Sequence, residues 1–213
     1  MRTGVVHARH KVLVHSWKRL FKEIGVNIPK RDVERPLRLT HIRRSENDNR
    51  RMDLITRDLS GILGGKPLFM DATCVSPIHG NGLPMTGAAN NDGACLIRKD
   101  EDTYFIDYPD IHTSTHAKLL SLSVETYGRW GSDSLRLLRQ MANYKASDAL
   151  SCLQKSIAQP FSKRAWGILS ISLQKAIADS IINEFGADLT EAAGHEFFDD
   201  RGPPIDLLGN MHR

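Results

Sequence analysis

The 213-residue sequence is 40% hydrophobic and 25% charged, the balance of a globular chain with its own core and not of a disordered or fibrous one. No apolar run approaches the roughly 20 residues that span a bilayer. The start MRTGVVHARHKVLVHSW lacks the apolar centre and cleavage site of a secretory leader, and three scattered cysteines without a CxxC pair do not make a disulfide framework, so an intracellular, reduced protein is expected.

The net charge of +4 is uneven. Residues 1–60 hold 15 Lys and Arg against 7 Asp and Glu, residues 61–177 hold 12 against 10, and residues 178–213 hold 2 against 8. A basic first third suits a polyanion such as nucleic acid, or an ordinary solvated basic surface; the acidic end suits a solvated tail.

In chain order, VLVHSWKRLFKEI (12–24) puts Val14, Trp17, Leu20, Phe21 and Ile24 on one helical face and Lys18, Arg19 and Lys22 on the other, with Gly25 closing the helix. The charged, proline-containing stretch to Asn49 reads mostly as loop with short extended pieces. RRMDLIT and KPLFMDATCV read as strands joined by the turn-rich RDLSGILGG, and PIHGNGLPMTGAANNDG as loop. A short helix is predicted over about 88–99. HAKLLSLSVETYG is a third strand, apolar enough to be buried on both sides. SDSLRLLRQMANY follows as a helix with Ser132 as N-cap and Leu135, Leu138 and Met141 inward. The longest helix is KRAWGILSISLQKAIADSIINEF, ended by Gly186. The fold expected from this order is mixed α/β: a small mixed sheet flanked by helices on its two faces.

Asp53 and Asp71 each sit inside an apolar strand. A carboxylate there costs several kcal/mol unless it is paired or holds a cation, and two on neighbouring strands repel unless a divalent ion lies between them. Mg²⁺, or Mn²⁺ in its place, suits such a pair, because it prefers one or two carboxylates plus water and substrate phosphate. A lysine nearby would add a fixed positive charge or orient an attacking water. The alternative is that the two aspartates cap turns or pair with Arg50, Arg51 or Arg57. Arg43, Arg44, Arg50 and Arg51 cluster ahead of the first acid strand and are candidates for phosphate contacts. Tyr127, Arg129 and Trp130 in TYGRWG either stack on bases or pack the core. Cys74 reads as a buried strand residue, and GGKP as a turn, not a phosphate loop.

The run RRMDL…PLFMDATCVSP resembles the restriction-like endonuclease domain found downstream of reverse transcriptase in site-specific non-LTR retrotransposons, part of the PD-(D/E)xK nuclease superfamily. Arg9 and His10 before the first helix, the VETYGRWG segment and the Trp-containing carboxy-terminal helix are similar in order and spacing, so that the resemblance covers about residues 9–185. It implies a nuclease-like domain over 1–186 (core about 9–145, helical part about 160–186) followed by an acidic, flexible tail over 187–213. It also implies Mg²⁺ or Mn²⁺ on Asp53 and Asp71, with Lys99 as the catalytic lysine or Lys118 as the second choice. DNA would be the substrate, an upstream reverse transcriptase with its RNA a partner, and the nucleus the place of action on chromosomal DNA. Two positions depart from the pattern: Met52 replaces the usual proline, and Thr73 stands where the superfamily has lysine. Family members carry a zinc knuckle upstream, but no cysteine precedes Cys74, so no zinc is expected here. A degenerate remnant that binds nucleic acid without cutting it, or an interaction module, is the alternative.

Overall fold

The computed structural model describes residues 3–57, 65–88 and 93–184, with the side chains of 3–8 and 183–184 excepted. The expected tail over 187–213, the stop at Gly186 and most of the RDLSGILGG turn lie outside the described residues.

The architecture is a four-stranded mixed sheet packed between helices. Strands β1 (Val33–Pro36), β2 (Arg51–Thr56), β3 (Leu68–Val75) and β4 (Lys118–Glu125) lie in sequence order across the sheet. The first three are antiparallel, and β3–β4 is parallel in the register Asp71↔Ser121 and Thr73↔Ser123. The parallel step needs a crossover. Helix α2 (Ala94–Glu101), a π-helical turn (Asp102–Asp107) and the short α3 (Pro109–His112) supply it.

One face of the sheet is apolar along its length. Leu54, Leu68, Met70, Ala72, Leu120, Leu122 and Val124 pack against α1 (Thr3–Glu23), α4 (Ser132–Ala146) and α5 (Ser151–Glu184). The predicted face of α1 is the one that faces inward: Val14, Trp17, Leu20, Phe21 and Ile24 are all buried. The helix ends in a Schellman motif. Val26 N–H donates to Phe21 C=O and Gly25 N–H to Lys22 C=O, with Gly25 at φ 86°, where a side chain would be strained. The opposite face is divided. Its lower end carries Ile55, Phe69 and Leu119 in a small second core with Tyr108 and Ile111. Its upper end, on the same side-chain parity, carries Asp53, Asp71, Thr73, Ser121 and Ser123.

The structure corrects several expectations. One of the short extended pieces expected before Asn49 is a strand of the sheet, β1, where only isolated extended pieces in a loop were expected. It is short and charged, and is held by Arg35, which pairs with Asp32 and donates to Leu39 C=O at 2.7 Å. Helix α2 starts later than predicted, since Gly93 at φ 77° cannot belong to a right-handed helix. In α4 the inward residues are Leu137, Leu138, Met141 and Ala142, while Leu135 is 43% exposed. The leucine-rich run offers two stripes of the same period, and the orientation of the helix on the sheet selects the other one. The N-cap of α4 is Gly131, not Ser132. Helix α5 begins at Ser151, twelve residues before the predicted start, and runs through Pro160. No helix of the described residues is long and apolar enough to cross a membrane.

Gly131 illustrates how closely α4 is docked. Its N–H donates to Ser123 C=O at 2.9 Å, and a Cβ built there would lie 2.1 Å from Ser123 Oγ and 3.3 Å from Ser123 O. Ser123 Oγ in turn donates to Asp100 on α2 at 2.7 Å, so it cannot swing aside without losing that bond. Gly131→Ala is therefore expected to destabilise the fold by about 1–3 kcal/mol, as overpacking does, seen as a lower urea midpoint with unchanged slope.

Candidate functional site

The site is built at the centre of the sheet, on its polar face. The β2–β3 ladder runs through the rungs Thr56↔Leu68, Ile55↔Phe69 and Leu54↔Met70 and ends there, and Asp53 and Asp71 are the next residue of each strand beyond it. The two carboxylates share one small region, near enough for the Asp53 charge to act on Asp71. Here the regular ladder gives way: Asp53 Oδ2 accepts the N–H of Ala72 at 2.6 Å, taking a place a backbone carbonyl would hold. On the other side of β2 the backbone is strained too. Glu34, between the rungs Val33↔Leu54 and Arg35↔Met52, has φ 48°, the one non-glycine positive φ among the described residues.

Asp53 is buried, and its second oxygen, Oδ1, lies 3.0 Å from His10 Nε2. His10 Nδ1 lies 2.9 Å from the carbonyl of Ala72. A carbonyl only accepts, so Nδ1 must carry a proton; Nε2 then faces a carboxylate and makes a favourable contact only if it is protonated as well. The ring is thus held as an imidazolium. The hydrogen bond to Asp53 dominates, burial opposes it, and the Asp53 charge, the Ala72 carbonyl and Asp71 add to it, raising the His10 pKa to about 8. Because the folded value lies above the usual 6.5, this stabilisation is complete below pH 6.5 and is lost as pH rises through 8. The shift is equivalent to about 2 kcal/mol. In the metal-free protein, an NMR titration of His10 is expected to show a midpoint near 8, and Asp53→Asn to return it toward 6.5.

Asp71 is half-buried and accepts a hydrogen bond from Thr73 Oγ1 at 3.0 Å. Burial first and the Asp53 charge second push its carboxyl up to about 6, while the positive charges of Lys99 and His10 offset part of that rise. Lys99 therefore stands close enough to act on Asp71. It projects from α2, with Nζ donating to Asp107 Oδ2 at 3.0 Å. Lys118 is placed elsewhere: it starts β4 opposite Leu68, three residues below the Asp71 rung, and lines a separate cavity. Of the two candidate lysines, Lys99 is the one whose charge acts on Asp71.

The arginine cluster divides. All the N–H groups of Arg50 are engaged, by Asp48 through Nε and Nη2, by Asp110 through Nη1 and Nη2, and by the Asp107 carbonyl at 2.9 Å. The Arg50 contacts hold Asp48 well below the usual carboxylate range; at Asp110 burial pushes the carboxyl up, but the Arg50 hydrogen bonds and charge outweigh it and lower the carboxyl. Arg50 thus ties the start of β2 to the crossover and has no donor left for a phosphate, contrary to the role expected for it. Arg43 and Arg44 are half-exposed with looser partners, Glu46 at 3.8 Å and Asp110 at 3.4 Å, and Arg51 is exposed.

Sequence reasoning did not find Tyr108. Burial, then Asp71 and Asp53, raise its phenol well above the ordinary value, and its OH donates to Arg51 C=O at 2.7 Å beside the pair. Nothing local signals it, because the π-helical turn before it sets its direction. Of the TYGRWG residues, Trp130 is buried against Trp17 and Trp166, at 6.2 and 5.7 Å between ring centroids, whereas Tyr127 is exposed. Cys74 is half-buried, and desolvation pushes its thiol up, away from the reactive thiolate.

Among the described residues no group of three or more His, Cys, Asp or Glu side chains is arranged to hold a metal. The donor set at the pair is two carboxylates, which fits a hard cation that keeps water in its remaining positions better than it fits zinc. No family model, no curated protein and no solved structure matches the chain.

Proposed function

We propose that the chain is a divalent-metal-dependent DNA endonuclease domain of the PD-(D/E)xK type, of retrotransposon origin, that nicks one strand by hydrolysis to leave a 3′ hydroxyl and a 5′ phosphate. The observation that carries this reading is that Asp53 and Asp71 both stand just past the last β2–β3 rung, near enough for the Asp53 charge to raise the Asp71 carboxyl, with the Lys99 charge acting on Asp71 as well. Asp53 and Asp71 would hold Mg²⁺ or Mn²⁺, which activates water and neutralises charge building up on a phosphodiester. Lys99 stabilises negative charge at the reacting phosphate or orients the water, and Asp107 fixes where its ammonium sits. Thr73, at the position where the superfamily has lysine, instead donates to Asp71 and steadies that carboxylate. Arg43, Arg44 and Arg51 would contact DNA phosphates, and an upstream reverse transcriptase would use the 3′ hydroxyl as primer.

One observation favours a second reading, a remnant that binds nucleic acid without cutting it. The His10 imidazolium already faces Asp53 and supplies positive charge at the pair. Nicking of supercoiled plasmid separates the two. Nicking that requires Mg²⁺ or Mn²⁺ and disappears in Asp53→Ala and Asp71→Ala is the result expected of the nuclease. Folded wild-type protein that binds DNA in a salt-dependent way and never nicks it selects the remnant.

A further inference from the structure

The cavity that Lys118 lines has a volume of about 540 Å³ and lies at the β4 edge of the sheet, between that strand, α4 and the crossover. Leu119, in its wall, is two residues below Ser121 on β4, about 7 Å along the strand from the rung that pairs with Asp71. Three permanent cations line it: Lys66, Lys118 and Arg136. Lys66 stands two residues before Leu68, the residue that pairs with Lys118 at the start of the parallel ladder, and Lys118 N–H donates to Pro67 C=O at 2.9 Å. Neither lysine has an ion-pair or hydrogen-bonding side-chain partner among the described residues, and Lys118 is half-buried. Cations that line one concave surface raise the local concentration of anions there.

The acid in the wall does not cancel them. Asp133 accepts the N–H of Ser121 at 3.1 Å and the OH of Tyr104 on one oxygen, and Arg136 on the other. It is thereby engaged in positioning Arg136, whose side chain stays about half exposed. The remaining wall combines Ser114, Ala117, Leu119 and Ser132 with a ring pair, Tyr104 and His112, whose centroids lie 4.7 Å apart with planes tilted by 30°. The cavity is larger than a phosphate ion needs and falls in the range of small-molecule sites.

We infer that this cavity binds the phosphate of a nucleotide unit, with Lys66, Lys118 and Arg136 around the phosphate and the Tyr104–His112 pair beside the sugar or base. It is a site separate from the Asp53–Asp71 pair and needs no metal. A free mononucleotide and the terminal phosphate of a nucleic-acid strand present the same chemistry, and the test tells them apart.

The full chain, in chelator and at low salt, is titrated with inorganic phosphate, adenosine 5′-monophosphate and a short single-stranded oligonucleotide bearing a 5′ phosphate, or lacking it. Calorimetry and the backbone amide signals of Ala117, Lys118, Ser132 and Arg136 report binding. The nucleotide is expected to bind more tightly than inorganic phosphate and to shift those amides. Lys118→Gln and Arg136→Gln are each expected to weaken it about tenfold or more, as loss of a charge-assisted contact does. Asp71→Asn should leave this binding unchanged, so that failure of the metal reading does not count as failure here. Tighter binding of the 5′-phosphorylated strand than of the mononucleotide assigns the site to a strand end; the reverse assigns it to a free nucleotide. Absence of binding by all four probes, binding of the two oligonucleotides with equal strength while the mononucleotide is ignored, or unchanged affinity in both variants of a folded protein would overturn the proposal.

Discussion

Asp71→Asn is expected to make the metal-free protein more stable and to remove its response to Mg²⁺. Burial and the nearby Asp53 charge raise the Asp71 carboxyl to about 6. A carboxyl with a raised folded pKa stabilises the fold while protonated, and that contribution is lost as pH rises through the folded value. At pH 7 the ionised side chain therefore opposes folding. Because Asp71 is only half-buried and Lys99 offsets part of the repulsion, the gain on replacing it by asparagine is on the order of 1–2 kcal/mol. The wild-type protein regains stability when an ion binds the pair, by about 2.7 kcal/mol at one hundred times the dissociation constant. The variant has one carboxylate and should gain almost nothing. Urea unfolding at pH 7 with and without Mg²⁺ reads both effects, and cleavage should fall by roughly a thousandfold or more in the same variant, the scale of a lost transition-state electrostatic contact. A variant less stable than wild type without metal, yet still stabilised by Mg²⁺, would show that Asp71 is an ordinary structural carboxylate.

Trp17→Ala is expected to cost about 3–5 kcal/mol, the range for removing a buried aromatic. Trp17 is fully buried where α1 meets the sheet and α5, and its ring meets Trp130 edge to face at 6.2 Å. Against a typical stability of about 5–15 kcal/mol, that loss brings the domain close to its threshold. Its Nε1 has no hydrogen-bond partner among the described residues, so Trp17→Phe removes a buried, unpaired donor together with some area and should cost far less than alanine. Chemical denaturation of the three proteins gives the order wild type, Phe, Ala. Similar losses for Phe and Ala would mean that the indole N–H is satisfied by something the packing does not show.

Much of this arrangement was legible because it is periodic. Val14, Trp17, Leu20, Phe21 and Ile24 share a face whatever they pack against, and the three main strands announce themselves by their apolar runs. The aspartates were visible for the opposite reason, as charges that interrupt such runs. Their proximity follows from the pairing of β2 with β3, which no local pattern states. The parts that were not legible depend on distant contacts. His10 meets Asp53 and the Ala72 carbonyl, 62 residues away in the second case. Arg50 looked like a free cation beside the first acid strand, but Asp110 comes back across the crossover to engage it. Leu135 and Leu138 have the same local appearance, and only the orientation of α4 exposes one and buries the other. The early start of α5 runs against local preference, because Pro160, a residue that disfavours a helix interior, is carried inside the helix.

The measurement that bears most directly on the central claim is Mn²⁺ binding to the purified full chain near neutral pH, followed by electron paramagnetic resonance and by relaxation of the amide signals around Asp53, Asp71 and Lys99. One ion bound per chain is expected, with broadening centred on those three residues, and with binding lost in both Asp53→Asn and Asp71→Asn. Folded wild-type protein that binds no Mn²⁺, or binds it equally well without either aspartate, would contradict the assignment of the pair as a metal site and leave the His10 imidazolium as the cation the carboxylates are built to hold.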